Sequence, residues 1–370
     1  MNHILNKTHK TRWILPLCLL AFSPLCAQTS TSYYRPGVTT EGAVYYLPKT
    51  AVKVTVQVEK ATYTPGDLCR YSERYLRIKD VSPDPAVSYR ITAIRQEAVA
   101  VADTTKRYAV KFDARTSACH VLLSDDGILR AINTDDKVAG RQSSADGQKT
   151  VFKNQHPTVN PHQYLSEEIL AAGSTAKMAE LIAQDIYEIR ESRNLLVRGQ
   201  ADYMPKDGEQ LRLMLSQLEL QDRVLTSMFT GTTVNDTAEY CFTVVPDKAI
   251  SRDVLFRFSQ KFGLVDNDDL SGAPYYISIE DLGTAPKPEP VDPKKSAKPV
   301  PGIYVNIPGK MRSTIADMRQ TVVTDEFAAG QFGHVELLSS ALFNKRYTTH
   351  LWLHPISGAV EKLEAELPNK

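Results

Sequence analysis

Val52-Lys53-Val54-Thr55-Val56-Gln57-Val58 decides the fold class of this chain. Valine recurs at strict period two with polar residues between, so one face is apolar and the other wet, the mark of a half-buried strand. Upstream, Gly42-Ala43-Val44-Tyr45-Tyr46-Leu47-Pro48 leads in as a strand-like run. Downstream, Thr64-Pro65-Gly66-Asp67 carries helix-start signals, with Thr64 as the cap and Pro65 in the first turn. Leu68, Tyr71, Ser72, Tyr75 and Leu76 then fall on one face of a short helix. Strands are predicted over 87–94, 98–102, 108–112 and 119–123. Ser124-Asp125-Asp126-Gly127 turns the last of these into 128–132. Residues 133–160 are polar and aperiodic and read as a long loop.

The middle of the chain switches period. Met178, Leu181, Ile182, Ile186, Ile189 and Leu196 share one helical face, and so do Leu211, Met214, Leu215, Leu218, Leu225 and Met228. Asp207-Gly208-Glu209-Gln210 opens the second helix with a capping-box pattern, and Gly231 stands where it stops. Glu219 and Arg223 form an i,i+4 pair in the favourable order. Gly199 to Lys206 is a short connection, so the two helices are expected to pack antiparallel.

Strand signals return at 238–245, 254–258 and 275–279. The stretch 284–301 then holds six prolines and four lysines, an extended and solvated spacer. The tail beyond it is short for an independent core, so this stretch reads as a loop joining two strands of one sheet rather than a linker. Strands follow at 303–307, 311–315 and 321–324, and a final hairpin runs from 347–353 through Pro355-Ile356-Ser357-Gly358 into 360–363. One echo stands out. Gly42-x4-Leu47-Pro48 recurs as Gly302-x4-Ile307-Pro308, each followed by an alternating strand, as two copies of one β unit would be. A proline there permits only a sheet edge or a bend.

The first 27 residues read as a secretory signal peptide. Lys7, Lys10 and Arg12 precede the apolar run Trp13 to Cys26, and Ala27 is a small residue at the cut. Leu25 is too large for the site before a lipidated cysteine, so cleavage after Ala27 is preferred over a lipid anchor at Cys26. The expected location is the periplasm or the outer membrane, with no transmembrane helix in the mature chain. Removing three basic residues takes the formal charge from +1 to −2. That balance leaves no footprint for nucleic acid or for an acidic membrane surface. Three cysteines survive, Cys69, Cys119 and Cys241. They are small buried hydrophobes, or one disulfide and one free thiol; their spacing fits neither a metal knuckle nor a redox pair.

Ser174-Thr175-Ala176-Lys177 is the sharpest catalytic candidate. Ser-x-x-Lys on a first helical turn puts a hydroxyl and an amine on one face, where the amine can activate the serine. Tyr304-Val305-Asn306 matches a second element of such enzymes loosely, but no Lys-Thr-Gly follows it. The simpler reading makes Ser174 a helix cap and Lys177 a solvated cation. Asp266 and Asp268 could offer oxygens to calcium, yet an EF-hand loop needs Gly and Glu where Ser271 and Ile277 stand, so an acidic turn is preferred. The pairs His156/His162 and His350/His354 lack a third ligand and read as solvated or capping histidines. No cofactor is expected. The tyrosine pairs at 33–34, 45–46 and 275–276 would each place one ring inward and one outward, where it could stack on a sugar.

Tyr46-Leu47-Pro48-Lys49-Thr50 with its alternating valines resembles a family of uncharacterised exported proteins of gut anaerobes, known only as domain of unknown function 4831. So do Tyr71-Ser72-Glu73-Arg74-Tyr75-Leu76, Phe256-Arg257-Phe258-Ser259, Gly302-Ile303-Tyr304 and Gln331-Phe332-Gly333. The resemblance spans about residues 40–365 and implies no activity and no site residues. The residues themselves point to an α+β fold, mainly antiparallel sheet or sandwich units with an inserted long antiparallel helical hairpin. The expected organisation is a signal peptide (1–27), a lead-in (28–40), a β-rich domain (41–165), the helical hairpin (166–232) and a second β-rich domain (233–366). The expected function is that of a non-catalytic cell-envelope scaffold or binding module whose partner is an envelope protein or a glycan. The alternatives are a Ser-x-x-Lys serine hydrolase and a glycan-binding module.

Overall fold

A computed structural model describes residues 43–110, 120–134, 153–154, 159–205, 207–288, 302–343 and 348–367. The expected signal peptide and lead-in, Cys119 and His156 lie outside them. In chain order the elements are β1 (Ala43–Thr64), β2 (Ala86–Val110), β3 (Val121–Leu123), β4 (Leu129–Ile132), β5 (Lys153–Asn154), α1 (Glu167–Leu170), α2 (Thr175–Arg198) and α3 (Gly208–Thr230). They continue with β6 (Thr232–Val244), β7 (Ile250–Ser259), β8 (Gly263–Val265), β9 (Ala273–Asp281), β10 (Gly302–Ala316), β11 (Thr321–Ser339), β12 (Thr348–Leu353) and β13 (Val360–Glu366). The fold is α+β: three antiparallel sheets, ordered β2-β1-β6-β5, β11-β10-β9-β7-β8 and β13-β12-β4-β3, with a pair of helices.

Two long hairpins dominate. β1 pairs with β2, and β10 with β11, and each pair breaks register within the Leu/Ile-Pro step that ends the repeated motif, one position apart. In the first, Tyr46 faces Arg107 and Pro48 faces Ala102, so Leu47 stands against the excursion 103–106. In the second, Ile307 faces His334 and Gly309 faces Ala329, so Pro308 stands against 330–333. The sequence echo therefore marks two copies of one bent β unit. At the second bend Gly333 lies so close to the Ile307 carbonyl that any Cβ would collide with it. The bends explain why the separate strands predicted over 87–110 and 303–315 are continuous here, while the strand predicted at 321–324 begins β11: each strand turns a corner and continues along its partner.

Beyond the bends the hairpins form a sandwich. Val52, Val54, Val56 and Val58 are buried against Phe256, Phe258, Ile277, Ile279, Met311 and Ile315 of the second sheet. Burial of each valine contributes about 1.5–3 kcal/mol, which fixes the register of β1. β2 runs across the facing sheet. Its Tyr89 amide donates to the Gln260 carbonyl (2.8 Å) beside β8, while Gln96 Nε2 donates to the Ser313 carbonyl of β10 (3.3 Å). Before the bends, Tyr45 and Leu47 of β1 and Ile303 and Val305 of β10 meet Leu129, Ile132, Leu351 and Leu353 of the small sheet in a second core.

The sheets draw on both ends of the chain. β6 pairs with β1, and β12 pairs with β4. Residues 41–165 and 233–366, expected as two β-rich domains, are thus interleaved, because each supplies the apolar face the other must cover. The stretch 284–301 joins β9 to β10, which are neighbours in one sheet.

The helical hairpin follows its apolar stripes. α2 ends on Gly199 at φ 69°, and α3 on Gly231 at φ 78°. Glu219 and Arg223 approach to 3.9 Å. Asp207 makes no side-chain capping bond, so the expected capping box does not form. The short helix expected after Thr64 is instead a 3-10 turn (Cys69–Tyr71) running into a single π turn (Ser72–Leu76), and Thr64 is the last residue of β1. The cause is tertiary: the Leu68 amide donates to the Met228 carbonyl (2.8 Å), and Gly66 packs so tightly on that carbonyl that a Cβ would not fit. Leu68 and Leu76 seat the hairpin by packing on Ile182, Ile186, Met228 and Phe229.

Candidate functional site

Ser174 caps α2. Its hydroxyl accepts from the Lys177 amide (3.2 Å), and Lys177 Nζ reaches Glu180 Oε1 (3.2 Å) rather than the serine. Both residues are exposed. The spacing that suggested a nucleophile and its base is the spacing a cap needs, since the N-cap oxygen must meet the amide three residues on.

Ile182 and Ile186 of α2 and Leu225, Met228 and Phe229 of α3 pack on Leu68 and Leu76 at the base of the hairpin. Toward its end Val197 is 67 %, Tyr203 68 % and Leu213 60 % exposed, with Leu195 and Met204 also open. Nearer the base, a cleft of about 300 Å³ between α2 and α3 is lined by Asp185, Glu188, Ser192, Gln221 and Tyr164. Burial, then the charges of Glu188 and Glu168, push the Asp185 carboxyl above the usual carboxylate range. A raised value means the folded chain holds its proton more tightly than the unfolded chain, so this group stabilises the fold as pH falls and opposes it at neutral pH. Asp185→Asn should therefore raise the melting temperature at pH 7. The gain should shrink toward zero once the pH drops below the ordinary aspartate value, as scanning calorimetry across pH would read.

Asp266 and Asp268 lie in the turn after β8. The Asp269 amide donates to the Asp266 carbonyl (2.9 Å), the Ser271 amide to Asp269 Oδ1 (2.8 Å), and Arg257 Nε to the Asn267 carbonyl (2.8 Å). Among the described residues no three His, Cys, Asp or Glu side chains gather as a metal site. His350 stacks on Trp352 in β12, His354 follows the strand, and each histidine has a hydrogen-bond partner. His350 Nδ1 is 2.6 Å from the Asn133 carbonyl, and His354 Nδ1 accepts from the Ser357 amide (3.2 Å). Cys69 and Cys241 are free thiols. Tyr45 is fully buried and Tyr46 half-buried, while Tyr276 carries Arg252 over its ring at 4.6 Å.

A dense polar constellation sits where the two bends meet, and sequence reasoning missed it. Asn306, with 0 % exposure, donates through Nδ2 to the carbonyls of Pro48 and Ser357, both at 2.9 Å. Gln331 clasps Thr50, accepting from its amide (2.9 Å) and donating to its carbonyl (2.7 Å). The Tyr45 hydroxyl accepts from the Tyr304 amide (2.7 Å) and donates to the Tyr304 carbonyl (3.1 Å), and burial pushes that phenol far up, so it stays protonated. Asp103 is buried in the first bend. Burial pushes its carboxyl up, but the Thr105 hydroxyl and amide, with Lys49 nearby, outweigh burial and hold it below the usual range. The one available signal was the paired Gly-x4-Leu/Ile-Pro motif, which marks the bends but not the side chains that join them.

A second groove of about 440 Å³ opens between β6 and β7, lined by Cys241, Phe242, Val244, Asp253 and Ile277. No helix among the described residues is long and apolar enough to cross a membrane.

These features define an α+β protein in which two bent β-hairpins pack on each other and a helical hairpin lies between them in the sequence. The chain belongs to the family described as domain of unknown function DUF4831, whose model matches residues 41–361. No curated protein and no solved structure matches it.

Proposed function

We propose that the protein is an exported, non-catalytic component of the cell envelope that works as a scaffold or binding module. The carrying observation is the helical hairpin, which is anchored at its base while Val197, Tyr203 and Leu213 stand open near its far end. Apolar side chains grouped on an otherwise polar element favour a role in contact. The leader sequence supports export, and Ser174 serves the helix as its cap.

Two measurements test this. Fractionation with intact-mass analysis should find a mature chain starting at Gln28 in the envelope; an unprocessed cytoplasmic chain would sink the proposal. A fluorophosphonate probe should label the wild type no more than Ser174→Ala. That variant should lose about 1 kcal/mol of stability, the ordinary cost of a missing cap. Labelling that depends on Ser174 would establish the hydrolase alternative instead.

A further inference from the structure

Three turns gather at one end of the β11-β10-β9-β7-β8 sheet. Phe258 of β7 faces Ala273 of β9, and Ser259 faces Gly263 of β8. Ala316 of β10 faces Tyr276 of β9 on one side and Thr321 of β11 on the other. The turns 260–262, 266–272 and 317–320 therefore lie side by side. The β10–β11 turn and the β7–β8 turn are three strand spacings apart, about 15 Å. Each turn lifts one large apolar side chain off the end of the sheet: Phe262 is 58 %, Leu270 82 % and Met318 67 % exposed. Single exposed apolar residues are ordinary on a surface, but three on adjoining turns at one end of a sheet mark a contact surface.

The turns are built to hold these side chains out. Leu270 stands between Asp269 and Ser271, and the Ser271 amide donates to Asp269 Oδ1 (2.8 Å). Met318 stands in the same way between Asp317 and Arg319, and the Arg319 amide donates to Asp317 Oδ1 (2.7 Å). The Gln320 amide donates to that oxygen too (2.7 Å), and the Asp317 amide to the Gln320 carbonyl (3.0 Å). In the third turn the Lys261 amide donates to Ser259 Oγ (3.3 Å), and Lys261 Nζ lies 5.7 Å from the centre of the Phe262 ring. These bonds are internal to the turns, so they survive when a tip leaves water.

We propose that this end of the sheet docks on lipid, with Phe262, Leu270 and Met318 inserting as separate anchors into the interface of a zwitterionic bilayer. Side chains on separate turns present knobs rather than a groove, and a fluid interface closes around each knob without a matching pocket. The charge around them is acidic: Asp266, Asp268, Asp269 and Asp317 outnumber Lys261 and Arg319. Of the neighbouring cations, Arg252 lies over the Tyr276 ring and Arg257 donates to the Asn267 and Gly272 carbonyls. The Gln320 and Arg319 amides hold the Asp317 carboxyl below the usual range, and the Ser271 amide does the same for Asp269, so both are ionised at neutral pH. Such a rim is repelled by an anionic surface and complements the ammonium heads of phosphatidylethanolamine. The inference does not depend on the envelope role proposed above, because its test needs only purified chain and vesicles.

Flotation with vesicles of phosphatidylethanolamine and phosphatidylcholine tests it. The chain from Gln28 onward serves, since the apolar run 13–26 would bind lipid by itself and every core residue named above lies beyond Val44. The wild type should float, and a variant combining Phe262→Ser, Leu270→Ser and Met318→Ser should partition at least about tenfold less at an unchanged melting temperature. A variant combining Val197→Ser and Leu213→Ser on the helical hairpin should partition like the wild type. Adding phosphatidylglycerol should weaken wild-type binding. A wild type that stays in solution would overturn the proposal, as would a triple variant that floats equally well, a hairpin variant that loses as much, or binding that grows with anionic lipid. If the triple variant does not fold, oxidation of the wild type decides: vesicles should slow peroxide oxidation of Met318 at least about threefold and leave Met204 unchanged. An unchanged rate at Met318 excludes insertion.

Discussion

Replacing Asn306 with alanine should remove about 4 kcal/mol of folding stability, read as a lower urea midpoint at unchanged slope. Two buried carbonyls, those of Pro48 and Ser357, lose their donor together. An unmade hydrogen bond at a buried acceptor costs roughly 1–3 kcal/mol. The deleted side chain also leaves a gap beside Gly330, which packs directly on the Asn306 amide. Asn306→Asp should do worse, since its oxygens would meet two carbonyl oxygens with nothing to donate unless the acid stays protonated. A change below about 1 kcal/mol would mean that apolar packing alone sets the bends.

Phe229→Ala should cost about 3–5 kcal/mol, the usual range for emptying a large buried aromatic site. Phe229 is fully buried near the end of α3 and packs among Leu68, Ile182 and Ile186, the contact that seats the helical hairpin. The loss should be local. Amides of α2 and α3 should exchange faster, while those of Val52 to Val58 keep most of their protection, because the sandwich core shares no residue with the helical one. Equal loss in both regions would show the hairpin and sheets to be a single cooperative unit and would reject the local reading.

The alternating valines and the two helical stripes were readable because burial on one face writes a period into the sequence. The chain's corners were less so. Pro48 and Gly333 look like strand breakers, and a local reading divides β2 and β10 where the structure bends them. The turn after Thr64 carries every local mark of a helix start, yet the Met228 carbonyl, distant in sequence, takes the Leu68 amide and re-forms the segment. Asn306 carries no local signal at all. Its role depends on Pro48 and Ser357 arriving from opposite ends of the chain, which no spacing rule records. Ser174 shows the reverse case, where one spacing satisfied two chemistries and the cap is the one that formed.

The contact between the two bent hairpins also governs how the polypeptide must be completed. Tyr45 meets Tyr304, and Thr50 meets Gln331, across separations of 259 and 281 residues. The valine face of β1 is laid down early, is covered in part by Phe256, Phe258, Ile277 and Ile279, and gains Met311 and Ile315 only when the segment beginning at Gly302 arrives. A fragment stopping short of that glycine would lack β10 and β11 and leave this interior unfinished, so its stability should fall well below that of the whole chain.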